Sequence, residues 1–171
     1  VDACSPGAGW ALSGARRTLT TVRIDVWSDI LCPFCHLGRR HLELALEQFE
    51  HGDEVGVVWH SFQLDRTAPA VDDTPAVERV AEKYGVPREQ MVDQHERMAA
   101  DAAAVGLDFQ WERLRGGNSY DAHRLIHFAR TVGLEEPLTQ RLMTAWYSEG
   151  AAIGDQDTLV RLAVEAGLEA D

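Results

Sequence analysis

Two cysteines three residues apart, Cys32-Pro33-Phe34-Cys35, stand between a β-type run and a helical pattern. That junction limits what the chain can be. The run before it holds Val22, Ile24, Val26 and Trp27, the composition of a buried strand. The pattern after it places Leu42, Ala45, Leu46 and Phe49 on one apolar helical stripe, with Arg39, Arg40, Glu43 and Glu47 on other faces. His51-Gly52-Asp53 reads as the helix end, with Gly52 just past the C-cap. A second strand reads from Val55 to Leu64. Strand, helix and strand over 22–64 make a βαβ unit, for which a right-handed crossover is the rule.

Such a junction gives paired cysteines a particular chemistry. Residues three apart on a helix share a face, close enough for a disulfide. The helix start carries partial positive charge and free N–H groups, which favour a thiolate at Cys32. Pro33 fits the first turn, where its missing N–H costs nothing. Cys32 is then the nucleophile and Cys35, one turn in, the resolving thiol. A structural zinc needs four ligands, and the only other cysteine is Cys4, so no metal is expected. Three cysteines are also too few for a disulfide-stapled secreted scaffold.

The 171 residues suffice for one domain, or a small domain with an insertion. A net charge of −12 argues against nucleic acid as a partner. No apolar run approaches the roughly 20 residues of a membrane span. Residues 1–21 show no apolar period. Arg16-Arg17 is followed by Thr18-Leu19-Thr20-Thr21 rather than an apolar export core. We read 1–21 as a disordered leader, Cys4 as a bystander thiol, and the protein as cytoplasmic.

Residues 65–171 read as a helical insertion, or lid. After a loop from Asp65 to Thr74, Thr74 caps a helix that begins at Pro75 and stops at Gly85. Further helices read over Arg88–Val105, Ser119–Val132, Glu136–Glu149 and Asp157–Ala166, each followed by a glycine, with a short extended piece at Leu107–Trp111. Two strands do not complete a sheet, and an open apolar edge is a pairing liability. The expectation is that polypeptide beyond Asp171, or a homodimer, covers it.

Four segments carry a resemblance: IDVWSDILCPFCHLG (24–38), VVWHSFQLD (57–65), GNSYDAHRLIHFA (117–129) and YSEGAAIGDQDTLVRLAVEAGL (147–168). Together they are similar to the DsbA-like thioredoxin-fold family. The nearest likeness is to its FrnE-like subgroup, related to 2-hydroxychromene-2-carboxylate isomerases. The resemblance implies an α/β thioredoxin-like fold with a large inserted helical domain. The ββα unit that completes the family's sheet, with its cis-proline, is missing from this sequence. The implied activity is thiol–disulfide exchange on protein or small-molecule thiols and disulfides. No metal or organic cofactor is required, and glutathione could serve as reductant or co-substrate. The alternative is a glutathione-dependent isomerase or transferase acting on aromatic or polyketide-type small molecules. Those relatives carry serine in place of the nucleophilic cysteine, so the presence of both Cys32 and Cys35 favours exchange. A third reading is a binding module without turnover.

Candidate substrate contacts are Pro33, Phe34 and His36 at the motif, and Asn118, Ser119 and His123, which the resemblance implies lie over it. Each has a plainer reading. Asn118 and Ser119 can simply cap a helix. His36 is either a cation favouring the thiolate or an ordinary helix residue. His123 and His127 have metal-pair spacing but no accompanying glutamate. Asp29 is a turn residue or a proton acceptor near Cys32. Trp27, Trp59 and Phe62 read as sheet core.

Overall fold

The computed structural model describes residues 22–169. The leader expected over 1–21, with Cys4, lies outside them. Strand β1 (Val22–Ser28), helix α1 (Pro33–Gln48) and strand β2 (Val55–Ser61) form the βαβ unit. The strands pair in parallel, from Val22 opposite Val55 to Ser28 opposite Ser61. Their C-terminal ends therefore stop side by side. Beyond them the Phe62 N–H donates to the Ser28 carbonyl at 3.0 Å.

Helix α1 ends earlier than its pattern predicts. Phe49 is already extended at the C-cap, and Gly52–Glu54 forms a separate 3₁₀ turn. The chain folds back so tightly that a Cβ on Gly52 would lie 2.1 Å from the Leu46 carbonyl oxygen. Gly52 is thus needed for close backbone approach rather than for helix termination.

The segment read as a loop holds a strand, β3 (Val71–Pro75), which precedes α2 (Ala76–Tyr84) and α3 (Arg88–Ala104). It pairs antiparallel with β4 (Arg115–Gly117), Val71 facing Gly117. Thr74 lies in that strand and does not cap α2; Pro75 takes the N-cap position. Neither Val-Asp-Asp-Thr-Pro nor Arg-Gly-Gly alternates apolar and polar residues, so the usual strand signal is absent. The piece expected to be extended over Leu107–Trp111 forms no strand: 107–110 have no regular structure, and Trp111 opens a 3₁₀ turn, Trp111–Arg113. Helices α4 (Tyr120–Thr131), α5 (Glu135–Tyr147) and α6 (Gln156–Glu165) follow. In α6 the Asp155 carboxylate caps by accepting from the Thr158 N–H at 2.8 Å.

The main core belongs to the helices. Leu138, Leu142, Ala145 and Tyr147 of α5 are fully buried against Ala122 and Ala129 of α4 and Leu162 of α6. From the βαβ unit only Ile30 is buried in this cluster, with Leu31 and Leu37 packed against it. The expectation of a sheet core at Trp27 and Phe62 does not hold among the described residues: they are 63% and 50% exposed. Trp27 stacks on His60, while the Arg39 guanidinium covers the half-buried Trp59 ring at 4.7 Å. Arg39 itself is buried and pairs with Glu43 and Glu136.

Candidate active site

The site is built where β1 hands over to α1. After Ser28 the chain turns through Asp29, whose side chain organises the bend. Its Oδ1 accepts from the Leu31 N–H at 3.2 Å, and its Oδ2 from the Leu64 N–H at 2.7 Å. Its main-chain carbonyl accepts from the Cys32 N–H at 3.2 Å. One residue therefore fixes the approach to the helix and ties it to the segment leaving β2. Cys32 is the N-cap, extended at φ −92°, and Pro33 opens the helix. The Cys32 carbonyl accepts from the N–H groups of Cys35 (2.9 Å) and His36 (3.1 Å), closing the first turn.

Cys32 and Cys35 are free, half-buried thiols. They share a hydrogen bond in which the Cys32 thiol donates to Cys35. That bond, aided by the Asp29 N–H and the Ser28 hydroxyl against burial and the Asp29 charge, lowers the Cys35 pKa to about 6. The same bond, with burial, pushes Cys32 up, although the Cys35 and Phe34 amides oppose it. The two thiols thus share one proton, and the charge on either depends on which of them holds it. Helix-start amides do serve the Cys32 sulfur, but a neighbouring S–H is a stronger local influence on Cys35.

The remaining predicted residues separate into different roles. Phe34 is exposed beside the motif, and Pro33 is half-buried. His36 turns inward, its ring stacked on Tyr147 at 4.3 Å between centroids. Burial, with the nearby Arg39 charge, drives its pKa down to about 4. It is therefore neutral near pH 7, which rules out the reading of His36 as a thiolate-stabilising cation. Asn118 is fully engaged within the fold. It accepts from Gln63 at 2.5 Å and from the Tyr120 N–H at 2.9 Å, and it donates to the Ala68 carbonyl at 2.8 Å. Ser119, at the N-cap of α4, makes no side-chain capping bond.

Ser119 and His123 are buried and lie at Asp29. His123 Nε2 stands 3.4 Å from Asp29 Oδ1 but is not aligned as a hydrogen bond. Burial works against the Asp29 charge. His123, the Leu64 N–H, Ser119 and the Leu31 N–H outweigh it, holding the pKa below the ordinary carboxyl value. His127 lies elsewhere, 3.1 Å from Ser61 Oγ, so the two histidines share no site.

Sequence reasoning did not single out Ser28 or Tyr147. Ser28 looked like any strand end, and Tyr147 sits in the apolar register of α5, where a core residue belongs. Among the described residues no cluster of histidine, cysteine and carboxylate groups could hold a metal ion, and no helix is long and apolar enough to cross a membrane.

A Cys-x-x-Cys dithiol at the start of a helix, directly after a parallel strand, defines a thioredoxin-type site. Residues 23–171 match the DSBA-like thioredoxin domain family, and the chain belongs to it. The uncharacterized protein YwbO of Bacillus subtilis (strain 168) is 31% identical over 150 residues, covering 87% of this chain and 68% of that protein. The crystal structure of a probable DsbA oxidoreductase from Streptomyces coelicolor superimposes with a TM-score of 0.81 at 38% identity. That match covers 86% of this chain and 64% of the other, so the chain spans just under two thirds of that protein's length. A crystal structure from Nitrosomonas europaea shares the fold, with a TM-score of 0.56 at 18% identity over 85% of this chain and 65% of that one. The fold is thus thioredoxin-like, with helices α2 to α6 inserted after its first βαβ unit.

Proposed function

We propose that the protein is a thiol–disulfide oxidoreductase working through Cys32 and Cys35. The observation that carries this reading is the hydrogen-bonded, half-buried dithiol at the N-terminus of α1. Cys32 precedes the helix, next to exposed Phe34, whereas Cys35 lies inside the first turn against Ser28 and Asp29. The outer sulfur attacks the substrate disulfide as its proton passes to Cys35, and the amides of Phe34 and Cys35 support the charge on Cys32. Cys35 then closes on Cys32 and releases the substrate thiol. No metal or organic cofactor enters this cycle. A paired-cysteine motif without scaffold disulfides fits a cytoplasmic protein.

A second reading has its own support in a cleft of about 470 Å³ that starts at Asp29 and Leu31. Its walls carry Arg79, Lys83 and Arg115 beside Asp29, Asp65 and Glu82, with Arg79 paired to Asp65 and Asp72; Lys83 and Arg115 are the cations suited to the carboxylates of a small thiol such as glutathione. Glutathione would be the reductant of the exchange reaction or, in an isomerase or transferase, the co-substrate.

Insulin reduction with a dithiol donor tests the first reading. Cys32→Ser should abolish turnover. Cys35→Ser should accumulate a mixed disulfide, seen as a mass increase on the intact protein that a reductant removes. Glutathione binding by the wild-type chain without insulin turnover would favour the second.

A further inference from the structure

The cleft of about 470 Å³ beside the dithiol changes character along its length. At one end lie Asp29, Ser119 and Leu31, the residue directly before Cys32. Leu64 and the buried Trp146 add apolar surface there. From Ser119 the wall follows β4 back to Arg115, and α2 carries Glu82 and Lys83 on the exposed rim. Most charges of the cleft are already answered within the fold. The Asp29 carboxylate accepts from the Leu31 and Leu64 N–H groups, and Arg79 pairs with Asp65 and Asp72. Arg115, Lys83 and Glu82 remain, and among the described residues none of them forms an ion pair.

Arg115 differs from the other two. It is half-buried, and its Nη1 donates to the main-chain carbonyls of Glu112 at 2.8 Å and Leu114 at 3.0 Å. Those bonds hold the guanidinium in place and leave its remaining N–H groups without a protein acceptor. A guanidinium so held, partly withdrawn from water and without a carboxylate, is prepared for an anion that comes from outside. Ser119 supplies a second uncommitted group. It is 1% exposed, and its Oγ has no hydrogen-bond partner, which is unusual for a buried hydroxyl.

We propose that this cleft is a specificity subsite for polypeptide substrates. It receives the chain that flanks the substrate's reacting cysteine, apolar beside the cysteine and acidic further out, with Arg115 binding the acidic side chain. The inference rests on the reading that Cys32 forms a mixed disulfide with the substrate. Leu31, Leu64 and Trp146 cover the apolar part of the flank, and Ser119 offers its hydroxyl to the substrate main chain. Four residues separate Arg115 from Ser119, at most roughly 13 to 14 Å of extended chain. The acidic side chain therefore belongs within about four residues of the cysteine. Lys83 adds to the attraction from the rim, and Glu82 opposes it. The protein's net charge of −12 repels acidic peptides in general, so a preference for them reports a local site.

The test is a competition for Cys32 in the full chain carrying Cys4→Ser and Cys35→Ser, which leaves one thiol. Two peptides that differ only by Glu or Gln three residues from their single cysteine are equilibrated with it as thiols and disulfides. Intact mass gives the ratio of the two mixed disulfides. The Glu peptide should lead about tenfold at low salt, and the lead should shrink at high salt. Arg115→Ala should bring the ratio to about two or below. Lys83→Glu should lower the ratio and Glu82→Gln raise it, each about twofold. These two rim variants carry the test if Arg115→Ala fails to fold by circular dichroism. Glutathione against cysteinylglycine is run as a second pair. Equal shares for the two peptides would overturn the subsite and leave the exchange reading intact. So would a ratio that folded Arg115→Ala and Lys83→Glu leave unchanged. Discrimination within the small-thiol pair alone would give the cleft to glutathione and also overturn it. No mixed disulfide at Cys32 with any of these thiols would overturn both readings.

Discussion

The βαβ unit and the inserted helices are held together by different means. Helices α4 to α6 enclose side chains such as Leu138, Leu142 and Leu162 with no exposed surface. Over residues 22–64 the only buried apolar side chain is Ile30, and the other buried groups are Ser28, Asp29 and Arg39. One half is stabilised by close packing, the other by backbone pairing and by polar ties at the seam. The dithiol lies at that seam, where Asp29 from the first half meets Ser119 and His123 from the second, and Tyr147 stacks on His36. A dense apolar core cannot host groups that change charge, because burying an unpaired charge is costly. The seam can hold the Asp29 charge, because the Leu31 and Leu64 N–H groups donate to its carboxylate.

The comparison is tested most severely by matched truncations. Leu142→Ala should destabilise the protein by about 3 kcal/mol or more, since it empties a fully enclosed site. Val58→Ala, on half-buried β2, should cost only about 1 kcal/mol. Urea unfolding of the two variants measures both. Equal losses would show that the βαβ unit is as tightly packed as the helices.

The same contrast explains what the sequence could reveal. The Cys-Pro-Phe-Cys junction was legible because strand composition, Pro33 and the apolar stripe of α1 all point the same way. The helix stops were legible because α2 to α6 are each followed by a glycine of positive φ, Gly85, Gly106, Gly133, Gly150 and Gly167. The β3–β4 pairing was not, since neither strand alternates and their partnership spans the chain from Val71 to Gly117. The seam was legible only on one side. Asp29 stands three residues before Cys32 and drew notice. Tyr147 has the spacing of an ordinary core residue, and nothing local announces that its hydroxyl lies near two thiols. Arg39 looked like a surface charge, because a buried guanidinium with two carboxylate partners has no sequence signature.

A smaller effect is expected at Asp29, which joins the two halves. Its carboxyl is held below the ordinary value of 3.8. The stability it contributes is therefore fully present above that value and is lost as pH falls through the lower folded pKa. Asp29→Asn should be less stable than wild type at pH 7, and the gap should close on acidification below the ordinary carboxyl range. Thermal unfolding across that window is the check. A gap independent of pH would mean that Asp29 acts through shape alone.

His36 should affect a different window. Its pKa falls from 6.5 to about 4 on folding, so between those values the unfolded chain binds a proton that the folded one does not. Wild-type stability should decline as pH falls from about 6.5 toward about 4. His36→Phe keeps a ring for Tyr147 to stack on and removes the titrating group, so its stability should decline less over the same range. An unchanged slope would assign the loss to other residues.

The smallest and most discriminating change is Tyr147→Phe. The ring is held on three sides, by His36 at 4.3 Å, Trp146 at 4.7 Å and Phe109 at 5.5 Å between centroids. Its hydroxyl is buried with no partner. Burial raises its pKa well above the usual phenol value, and the Cys32, Cys35 and Asp29 charges add to that effect. It therefore stays neutral and donates at most one proton. In the helical half, deleting a buried group leaves a cavity and destabilises. Here the deletion removes one oxygen that nothing within the protein satisfies. A buried hydroxyl without a partner carries a desolvation penalty of about 1 to 3 kcal/mol, partly offset by the packing that the oxygen provides. Tyr147→Phe should consequently be neutral or stabilising, by up to about 1 kcal/mol in urea unfolding of the reduced protein. A clear loss of stability would mean that the hydroxyl has a partner, and a water bridging it to the seam would then extend the polar contacts of the dithiol into α5.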